Sequence, residues 1–325
     1  MVAEYLNKEN YEEWNRFVDE SKTGSIFSKT WYLDALGMNY KILVVRDNQK
    51  IQAGIVLPKN EINIYSNPMF DKYLGIIYAN FCGDKYKVVS KEYKYAQILA
   101  KEVSKFASFD YYFHPNFKNW IPLYWEGFYA QLRYTYIIDN QKSLDEIYNA
   151  FQKKIIKKNI DFALKNGITV RKDIDFETFW MLVNKTYLRQ GSKAPFSKDR
   201  IKRYINELQK RGVFEIFGAI EKDGRCSCVC GVLYEEKSSY LLFNGIDIEN
   251  MTRGANALMI WESIKYFHSR CKVYDFEGSM LPGAEPFFRK FGGELVPYIE
   301  VCNNTFFNFF KKKAKRFYKK LRYGR

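Results

Sequence analysis

Apolar and polar residues alternate most regularly between residues 212 and 301. Two runs of this kind, residues 213–220 and 226–234, flank Asp223-Gly224. That dipeptide is typical of a two-residue hairpin turn, in which both central residues need a positive φ. A further apolar run covers residues 239–246. The pattern therefore predicts a β-hairpin followed by another strand.

The pattern changes to helical spacing at Arg253-Gly254-Ala255-Asn256. The apolar residues that follow, up to residue 268, recur every three or four positions, which predicts a helix that begins directly after a strand. The first turn of such a helix offers free backbone N–H groups and the positive end of the helix dipole, and together they bind phosphate. An ordinary strand-to-helix turn explains the same residues, so both interpretations stay open.

A second junction between strand and loop, at Asp275-Phe276-Glu277-Gly278-Ser279, carries the candidate chemistry. Alternation along a strand places Asp275 and Glu277 on the same face. Ligands of open α/β sheets gather at the carboxyl ends of strands, so two carboxylates there indicate a centre that can move protons. The alternative is that one carboxylate only caps the next helix, which is predicted over residues 284–291. A last strand is predicted over residues 295–301.

Residues 4–139 show a similar order of elements. A helix is predicted over residues 11–20, a hairpin over 41–57, a helix over 91–106, and strands over 110–113 and 133–138. This order indicates tandem copies of one fold. Four aromatic residues between the copies are predicted to pack the interface between them or to line a substrate site: Trp120, Tyr124, Trp125 and Tyr129.

Taken in order, these elements resemble the GNAT acyltransferase fold, and more narrowly its FemABX-like and CelD-like branch. The resemblance rests on the Arg-Gly-Ala helix start, the Asp-Phe-Glu-Gly-Ser-Met strand end and the Phe-Phe-Arg-Lys-Phe-Gly-Gly helix end. Three other segments agree with it: Ser25-Ile26-Phe27 with Trp31, Lys157-Lys158-Asn159-Ile160 with Ala163, and Tyr187-Leu188-Arg189-Gln190-Gly191 with Pro195.

The resemblance implies an α/β (α+β) protein of two tandem GNAT-like domains, each a mixed, mostly antiparallel sheet flanked by helices. We predict an N-terminal domain over residues 1–140, a C-terminal domain with the donor site over 141–303, and a tail over 304–325. It also implies that an amine attacks an activated acyl group directly, without a protein nucleophile. The two histidines, His114 and His268, accordingly belong to no Ser/His or Cys/His signature.

The same resemblance assigns roles to individual residues. The donor phosphates would be held by Arg253, Gly254, Ala255 and Asn256. Asp275 or Glu277 would take the proton of the amine, and Ser279 would protonate the leaving thiolate. The candidate substrate-binding residues are Lys154, Lys157, Lys158, Arg189, Gln190 and Asn244.

The resemblance leaves several alternatives for the acyl donor and for the acceptor. We predict acyl-CoA or acyl-carrier protein as donor and an amine of a cell-envelope glycan, lipid or peptide precursor as acceptor, with neither a metal nor DNA as partner. FemABX proteins instead take aminoacyl-tRNA and extend peptidoglycan stem peptides. A third alternative is an inactive protein that docks on membrane-bound glycan machinery.

Residues 143–166 are predicted to form one long helix, with Ser143 and Glu146 as a capping box and Gly167 as its end. Four lysines share one face of this helix: Lys153, Lys154, Lys157 and Lys158. They either bind a polyphosphate or form a solvated basic face. Related sequences usually carry arginine at positions 157 and 158, and lysine keeps the charge but lacks the bidentate fork.

Composition indicates the class of protein and its expected location. The chain of 325 residues is 47% hydrophobic and 18% aromatic, which excludes a disordered protein. It contains no uncharged apolar run of about 18 residues and its first residues lack an apolar segment, so we expect a cytoplasmic protein without a membrane span. Cys226, Cys228 and Cys230 match no zinc or disulfide spacing and are predicted to be small core residues.

The last 22 residues, 304–325, hold nine of the fifteen net positive charges and no acid, interleaved with seven aromatic residues. Such a segment is typical of peripheral binding to an anionic membrane surface, at about 1 kcal/mol per basic residue near the bilayer. tRNA is the competing anion, and a solubilising extension is the third interpretation.

Overall fold

The computed structural model describes residues 1–59, 65–192, 194, 197–278 and 280–303. Three parts of the sequence analysis lie outside these residues: Pro195 of the resemblance, the candidate acid Ser279 and the tail 304–325. Contacts divide the chain into two compact units. The first comprises Met1–Arg133 with the described residues from Tyr298 onward, and the second comprises Tyr134–Pro297.

The first unit is a sheet with flanking helices. Its elements, in chain order, are β1 (Ala3–Tyr5), α1 (Tyr11–Glu20), α2 (Thr30–Ala35), β2 (Asn39–Asp47), β3 (Lys50–Lys59), β4 (Tyr65–Ser66), β5 (Ile77–Tyr78), α3 (Lys85–Val103), β6 (Phe109–Tyr112), α4 (Ile121–Trp125) and the start of β7 (Tyr129–Asp139). The strands lie in the order β1-β2-β3-β4-β6, and β5 pairs with β3. Helix α1 packs Trp14 into this core, and Gly54 of β3 has no Cβ because one would lie 2.5 Å from that indole.

The second unit repeats the design. Its elements after β7 are α5 (Leu144–Ala150), α6 (Lys158–Lys165), β8 (Thr169–Arg171), α7 (Phe176–Arg189), α8 (Lys198–Lys210), β9 (Phe214–Ile220), β10 (Cys226–Tyr234), β11 (Ser238–Ile246), α9 (Ala255–His268), β12 (Val273–Asp275), α10 (Glu285–Phe288) and β13 (Glu294–Cys302). Strand order is β7-β12-β11-β10-β9-β8. Only β11 and β12 pair in parallel among these neighbours, so each unit is the mixed, mostly antiparallel sheet that the sequence predicts.

The predicted C-terminal domain covers residues 141–303, but the end of the last strand belongs to the first unit. Strand β13 begins in the second unit, but its residues 300–302 pair with β6 of the first unit, where Glu300 lies opposite Tyr112. The Glu300 carboxylate, only 1% exposed, accepts a hydrogen bond from Arg133 Nε at 2.6 Å. The first unit is therefore completed by residues from the end of the described chain.

The predicted hairpin at Asp223-Gly224 is present as β9 and β10, but its two-residue turn is wrong. Glu221 N donates to Arg225 O at 2.9 Å, which leaves a three-residue loop, and only Gly224 has a positive φ, of 82°. The Asp223 carboxylate accepts from Arg225 N at 3.0 Å and so builds a turn of its own. The two-residue turn with two positive φ angles occurs instead in the β2–β3 hairpin, at residues 48 and 49.

Residues 143–166 form two helices, so the prediction of one long helix is wrong. The capping box of Ser143 and Glu146 is present, but α5 ends at Ala150. Phe151 adopts an extended backbone and packs its ring 5.1 Å from the rings of Trp261 and Phe291. Burial of this aromatic side chain outweighs the local helical pattern.

Hydrogen bonds of Gln152 stabilise the break. Its backbone N–H donates to Lys290 O at 2.8 Å, and its side-chain oxygen accepts from Ile155 N at 2.7 Å. A π-helical turn, Lys153–Lys157, then leads into α6. Gly167, with φ of 74°, ends that helix as predicted.

Candidate active site

The two parallel strands of the second unit part after a short pairing. Strands β11 and β12 are paired only as far as Tyr240 and Asp275. Beyond that point β11 continues along β10, whereas Phe276 N donates to Tyr136 O of β7 at 3.0 Å. In the described structure no strand lies beside residues 241–246 on the side away from β10. We call this stretch the open edge of β11.

Polar groups of Asn244 are available at the open edge. Ile246 N donates away from β10, to Thr186 Oγ1 at 2.9 Å, while Asp247 N donates to Ser227 O of β10. Because successive N–H groups point to opposite edges of a strand, the N–H of Asn244 faces the same side as that of Ile246. The Asn244 Oδ1 atom is buried and accepts no hydrogen bond from the described residues.

A cavity of about 140 Å³ lies between helix α7 and the open edge. Its lining residues recur on one face of α7 and along β11: Val183, Thr186, Tyr187, Gln190, Leu242, Phe243 and Asn244. Gly245 allows this close approach, because a Cβ there would lie 2.5 Å from Val183 N. We call this space the α7 cavity. Small-molecule pockets usually span 300 Å³ or more, so it has room for a reacting group and not for a whole ligand.

The sequence predicts Asp275 and Glu277 on one strand face. In the structure only Asp275 lies on the strand, and Glu277 lies in the turn after it. Strand β12 ends at Asp275, which is 2% exposed and accepts from Thr135 Oγ1 at 2.5 Å and from Glu277 N at 2.7 Å. Asp275 is therefore placed as a cap of the turn that follows. Strand alternation does not extend to Glu277, because that residue has a φ of 56°.

The left-handed backbone of Glu277 is unusual for a residue with a side chain. Such a conformation costs about 1 kcal/mol or more and is often found at functional sites. Gly278 follows with φ of 58°, and a Cβ there would lie 2.3 Å from Tyr134 O. Two consecutive left-handed residues, tied to the Asp275 carboxylate, thus turn the chain sharply where β12 leaves β11.

Tyr187 lines the α7 cavity and lies within electrostatic range of Glu277. Burial raises the pKa of the Tyr187 hydroxyl, and the negative charge of Glu277 raises it further. The phenol therefore stays protonated at neutral pH and can donate a hydrogen bond in the cavity. The structure thus brings together Tyr187, Gln190 and Asn244 in the α7 cavity, with Glu277 close enough for its charge to act on Tyr187. The sequence selects Gln190, Asn244 and Glu277.

Sequence reasoning missed Tyr187 as a site residue, although it stands in one of the segments that carry the family resemblance. Its spacing from Val183 and Gln190 places all three on one helical face. Arg189, the neighbouring candidate, is exposed at the end of α7.

The predicted phosphate turn is buried. Gly254 has a φ of 91°, and a Cβ there would lie 1.9 Å from Asn159 O of α6. Ala255 is fully buried and Asn256 is 6% exposed, with its Oδ1 accepting no hydrogen bond among the described residues. Arg253 alone is exposed, and its guanidinium lies 4.3 Å from the ring centroid of Phe162. Phosphate binding by this turn stays a prediction.

The predicted basic face divides in two. Lys157 Nζ donates to Asn149 O and Oδ1 at 3.3 Å and lies over the Tyr148 ring, so its charge is held against α5. Lys154 and Lys158 are exposed. Lys158 precedes Asn159, whose carbonyl lies against Gly254, so Lys158 is near the start of α9.

A buried carboxylate that the sequence did not select holds the loop before α9. Glu221, 8% exposed, accepts from Thr252 N at 3.1 Å and from Thr252 Oγ1 at 2.6 Å. Burial by itself raises the pKa of Glu221, but hydrogen bonds from Ser227 and Thr252 outweigh it and leave the pKa below its usual value. Glu221 is therefore ionised at neutral pH and fixes the loop that leads to the predicted donor turn.

Glu221→Gln should lower the free energy of unfolding by about 1 to 2 kcal/mol at neutral pH, because hydrogen bonds to a charged acceptor are lost. Since the folded pKa is depressed, this stabilisation is complete above the usual Glu value of 4.5 and disappears as the pH falls through the folded value. Urea unfolding of both proteins at pH 7 and pH 3 measures it. A difference that is equal at the two pH values contradicts the assignment.

A larger groove, of about 320 Å³, is lined in part by Met280, three residues after Glu277 in sequence. Its lining is mostly apolar: Tyr134, Tyr136, Met280, Leu281, Pro282, Glu285 and Leu295. Tyr136 donates its hydroxyl to Glu285 Oε1 at 2.5 Å, and burial together with this bond raises the pKa of Tyr136. We call it the β7 groove.

No group of three or more His, Cys, Asp or Glu side chains of the described residues is arranged to hold a metal ion. Among the described helices, none combines the length and apolar character that crossing a bilayer requires.

No family model and no curated protein sequence matches the chain. Solved structures match it over nearly its whole length. The chain is similar to FemX, with a TM-score of 0.68 and 14% identity over 92% of this chain and 97% of that one. It is also similar to a tandem GNAT protein from the clavulanic acid biosynthesis pathway, with a TM-score of 0.53 and 8% identity over 92% and 97% of the two chains.

A third similar structure is the C-terminal domain of a putative lysylphosphatidylglycerol synthetase from Agrobacterium fabrum. It has a TM-score of 0.52 and 11% identity over 92% of this chain and 93% of that domain. At these identities the likeness concerns the fold. The chain therefore has the tandem GNAT-like fold of FemABX type that its sequence predicts.

Proposed function

We propose that this chain, with its tandem GNAT-like fold, transfers an activated acyl or aminoacyl group to an amine. The observation that carries the proposal is the parting of β11 and β12, which leaves the N–H of Asn244 at an open edge beside the α7 cavity. An N–H group fixed on a strand can polarise a carbonyl without reorganising. Tyr187 lines the cavity beside this edge, and Glu277 lies in the turn that follows β12. These side chains are of the types that donate and accept protons.

The proposed step forms one bond and breaks one. The amine nitrogen bonds to the carbonyl carbon, and the bond from that carbon to the leaving sulfur or oxygen of the donor breaks. Glu277 takes the amine proton, directly or through water, and the Tyr187 hydroxyl donates a hydrogen bond to the carbonyl oxygen, which gains negative charge. The leaving sulfur or oxygen departs with the bonding electron pair and takes up the proton that the amine lost, so that a thiol or an alcohol is released. Asp275 acts by position, because its carboxylate holds the Glu277 turn.

Two donor classes fit this step. Acyl-CoA or acyl-carrier protein is the donor that the sequence favours. Two features disfavour a pyrophosphate at the first turn of α9. Asn159 of α6 lies directly against Gly254, and the ionised Glu221, bound to Thr252 in the preceding loop, would repel a phosphate there. These features favour aminoacyl-tRNA, the donor of the FemABX proteins that the sequence resembles, and the FemX likeness points the same way.

The acceptor we propose is an amine on a cell-envelope glycan, lipid or peptide precursor. The apolar lining of the β7 groove supports an acceptor or donor group with an apolar part. We further propose a cytoplasmic protein, peripheral at the membrane. The basic tail 304–325, which lies outside the described residues, was the sequence-based reason for that location.

A transfer assay tests the proposal. The purified chain is incubated with radiolabelled acetyl-CoA or with tRNA charged with labelled amino acids, and with an extract of envelope precursors. We expect label in a product that resists hydroxylamine, because an amide survives where thioesters and esters are cleaved. Labelling from charged tRNA alone would select that donor. No label from either donor with wild type would favour the inactive binding protein.

Arg253→Ala tests the donor site independently of the chemistry. If Arg253 binds a donor phosphate, KM for the donor should rise about 10- to 150-fold, equal to about 1.5 to 3 kcal/mol, with kcat and stability little changed. Arg270→Ala is the matched control, because Arg270 is also exposed and lies 3.9 Å over the Tyr266 ring at the other end of α9. Equal KM values for the two variants would place the phosphates elsewhere.

A further inference from the structure

Several aromatic side chains of the first unit, which the sequence predicts either to pack between the two copies or to line a substrate site, are exposed to solvent. Tyr124 is 61% and Trp125 58% exposed on α4, and Tyr129 is 53% exposed just after it. The Trp125 ring lies 5.6 Å from that of Tyr93 on α3. The prediction that these aromatic residues are packed is therefore wrong for α4.

Helix α3 continues the exposed apolar surface. Tyr86 is 81% and Val89 37% exposed, and with Tyr93 they follow one another at helical spacing. We define the α3–α4 surface by these exposed and contacting side chains: Tyr86, Val89, Tyr93, Ile121, Tyr124 and Trp125. It presents two tyrosines and a tryptophan to solvent within one unit, more than scattered single residues would.

The helix that supplies half of this surface is basic. Helix α3 carries five lysines and two glutamates, a net charge of +3. Lys87, Lys91 and Lys94 are exposed on α3, with Lys91 Nζ over the ring of Phe81 and Lys94 Nζ over that of Tyr95. Glu92 is half-buried, and burial raises its pKa. Asp84 is paired with Lys87 at 3.3 Å. The exposed charge of the helix that carries Tyr86, Val89 and Tyr93 is therefore mainly positive.

This combination fits a bilayer surface better than a nucleic acid. Tryptophan and tyrosine prefer the headgroup region, where an apolar ring meets water, and lysine is attracted to anionic lipid. Sites for nucleic acid rely strongly on arginine and on ring faces free for base stacking. The chain has no arginine between Arg46 and Arg133, and Trp125 and Tyr93 are tilted 41° against each other.

We propose that the α3–α4 surface docks the protein on an anionic lipid bilayer. Trp125, Tyr124 and Tyr86 enter the headgroup region, while Lys87, Lys91 and Lys94 lie near lipid phosphates. This docking surface belongs to the first unit, and it depends neither on the transferase proposal nor on residues 304–325.

Contact between Trp125 and lipid can be measured on the full chain. The protein is mixed with vesicles of phosphatidylcholine alone, or with vesicles that also contain about 30 mol% phosphatidylglycerol and therefore have a negative surface potential. Both kinds of vesicle carry brominated acyl chains, which quench the fluorescence of nearby indoles. We expect quenching on the anionic vesicles that is largely lost in Trp125→Phe. Equal quenching of wild type and Trp125→Phe would overturn the proposal, because another tryptophan would then be the one in lipid.

Co-sedimentation separates the aromatic and basic contributions. Tyr124→Ser with Trp125→Ser should lower the partition coefficient on anionic vesicles about tenfold or more, because two exposed rings no longer enter the interface. Lys87→Gln, Lys91→Gln and Lys94→Gln together should lower it about a hundredfold at low salt, and less at high salt. Circular dichroism confirms that each variant is folded.

Leu164→Ser with Met181→Ser is the matched control, since these side chains are 54% and 55% exposed in the second unit. It should bind vesicles like wild type. Four serine substitutions at the tail phenylalanines, residues 306, 307, 309 and 310, isolate the α3–α4 surface from the tail. If the aromatic pair then changes nothing on vesicles, or lowers binding to tRNA instead, the docking proposal is wrong.

Discussion

Glu277→Gln is expected to lower turnover about a hundredfold or more, with donor KM and stability nearly unchanged. General base catalysis is typically worth that much, and an amide of the same shape cannot take a proton. The left-handed backbone of Glu277 depends on the hydrogen bond from its N–H to Asp275, which the substitution keeps. Single-turnover transfer of labelled donor at several donor concentrations measures turnover and the donor dependence, and a urea unfolding curve measures stability.

Asp275→Asn is the comparison that gives this result its meaning. Its carboxylate is buried and accepts from Thr135 and from the Glu277 backbone. Loss of a buried charged acceptor should lower the free energy of unfolding by about 1 to 3 kcal/mol, and activity should fall with it. Turnover lost in both variants with stability lost only in Asp275→Asn separates a base from its support. Full turnover in Glu277→Gln would exclude base catalysis by this residue.

Tyr187→Phe distinguishes the two partners in the α7 cavity. The substitution removes a hydroxyl on which the Glu277 charge acts, and a lost hydrogen bond of this kind costs about 0.5 to 1.5 kcal/mol. We expect kcat to fall about 2- to 12-fold without a change in donor KM. Tyr93→Phe, a tyrosine of the first unit, is the control. A rise in KM alone would show that Tyr187 binds substrate before the reaction and does not act in it.

Local patterns predicted the features that depend on neighbouring residues. The capping box at Ser143, the glycine that ends α6 and the strand-to-helix turn at Gly254 each involve groups within a few positions of one another. Hydrogen bonds and φ preferences of this range are encoded directly in a short segment. The fold class followed because two such orders of elements occur in tandem.

The errors have a different origin. The break at Phe151 depends on Trp261 and Phe291, more than 100 residues away in sequence, and helical periodicity carries no trace of them. The same holds for Glu277, whose departure from the strand follows from the pairing of Phe276 with β7 and from Gly278 lying against Tyr134 O. Where strands part is decided by their partners, so a single strand sequence cannot predict it.

Candidate site residues divide in the same way. Asn244, Gln190 and Glu277 were selected from different segments, and the structure places them around the α7 cavity and its neighbouring turn. Tyr187 was missed because a tyrosine on a helix face is ordinary until its neighbour is known. Glu221 was missed because its partner, Thr252, is 31 residues along the chain.

Gly254→Ala should be the most destabilising single substitution we predict, by about 2 to 4 kcal/mol. A Cβ at this position would lie 1.9 Å from Asn159 O and 2.5 Å from Asn159 C, so α6 has to move away from α9. Overpacking against backbone costs about 1 to 3 kcal/mol, and the φ of 91° adds about 1 kcal/mol for any residue with a side chain. Chemical unfolding of the purified variant measures the sum.

Two glycines separate these contributions. Gly127 has a φ of 83° with open space around its Cβ position, so Gly127→Ala should cost only the backbone part, about 1 kcal/mol. Gly283, which has neither a positive φ nor a near neighbour, should tolerate alanine within about 0.5 kcal/mol. The excess for Gly254→Ala is then the contact with α6. If Gly254→Ala costs no more than Gly127→Ala, α6 does not cover the first turn of α9, and the argument against a pyrophosphate at that turn fails with it.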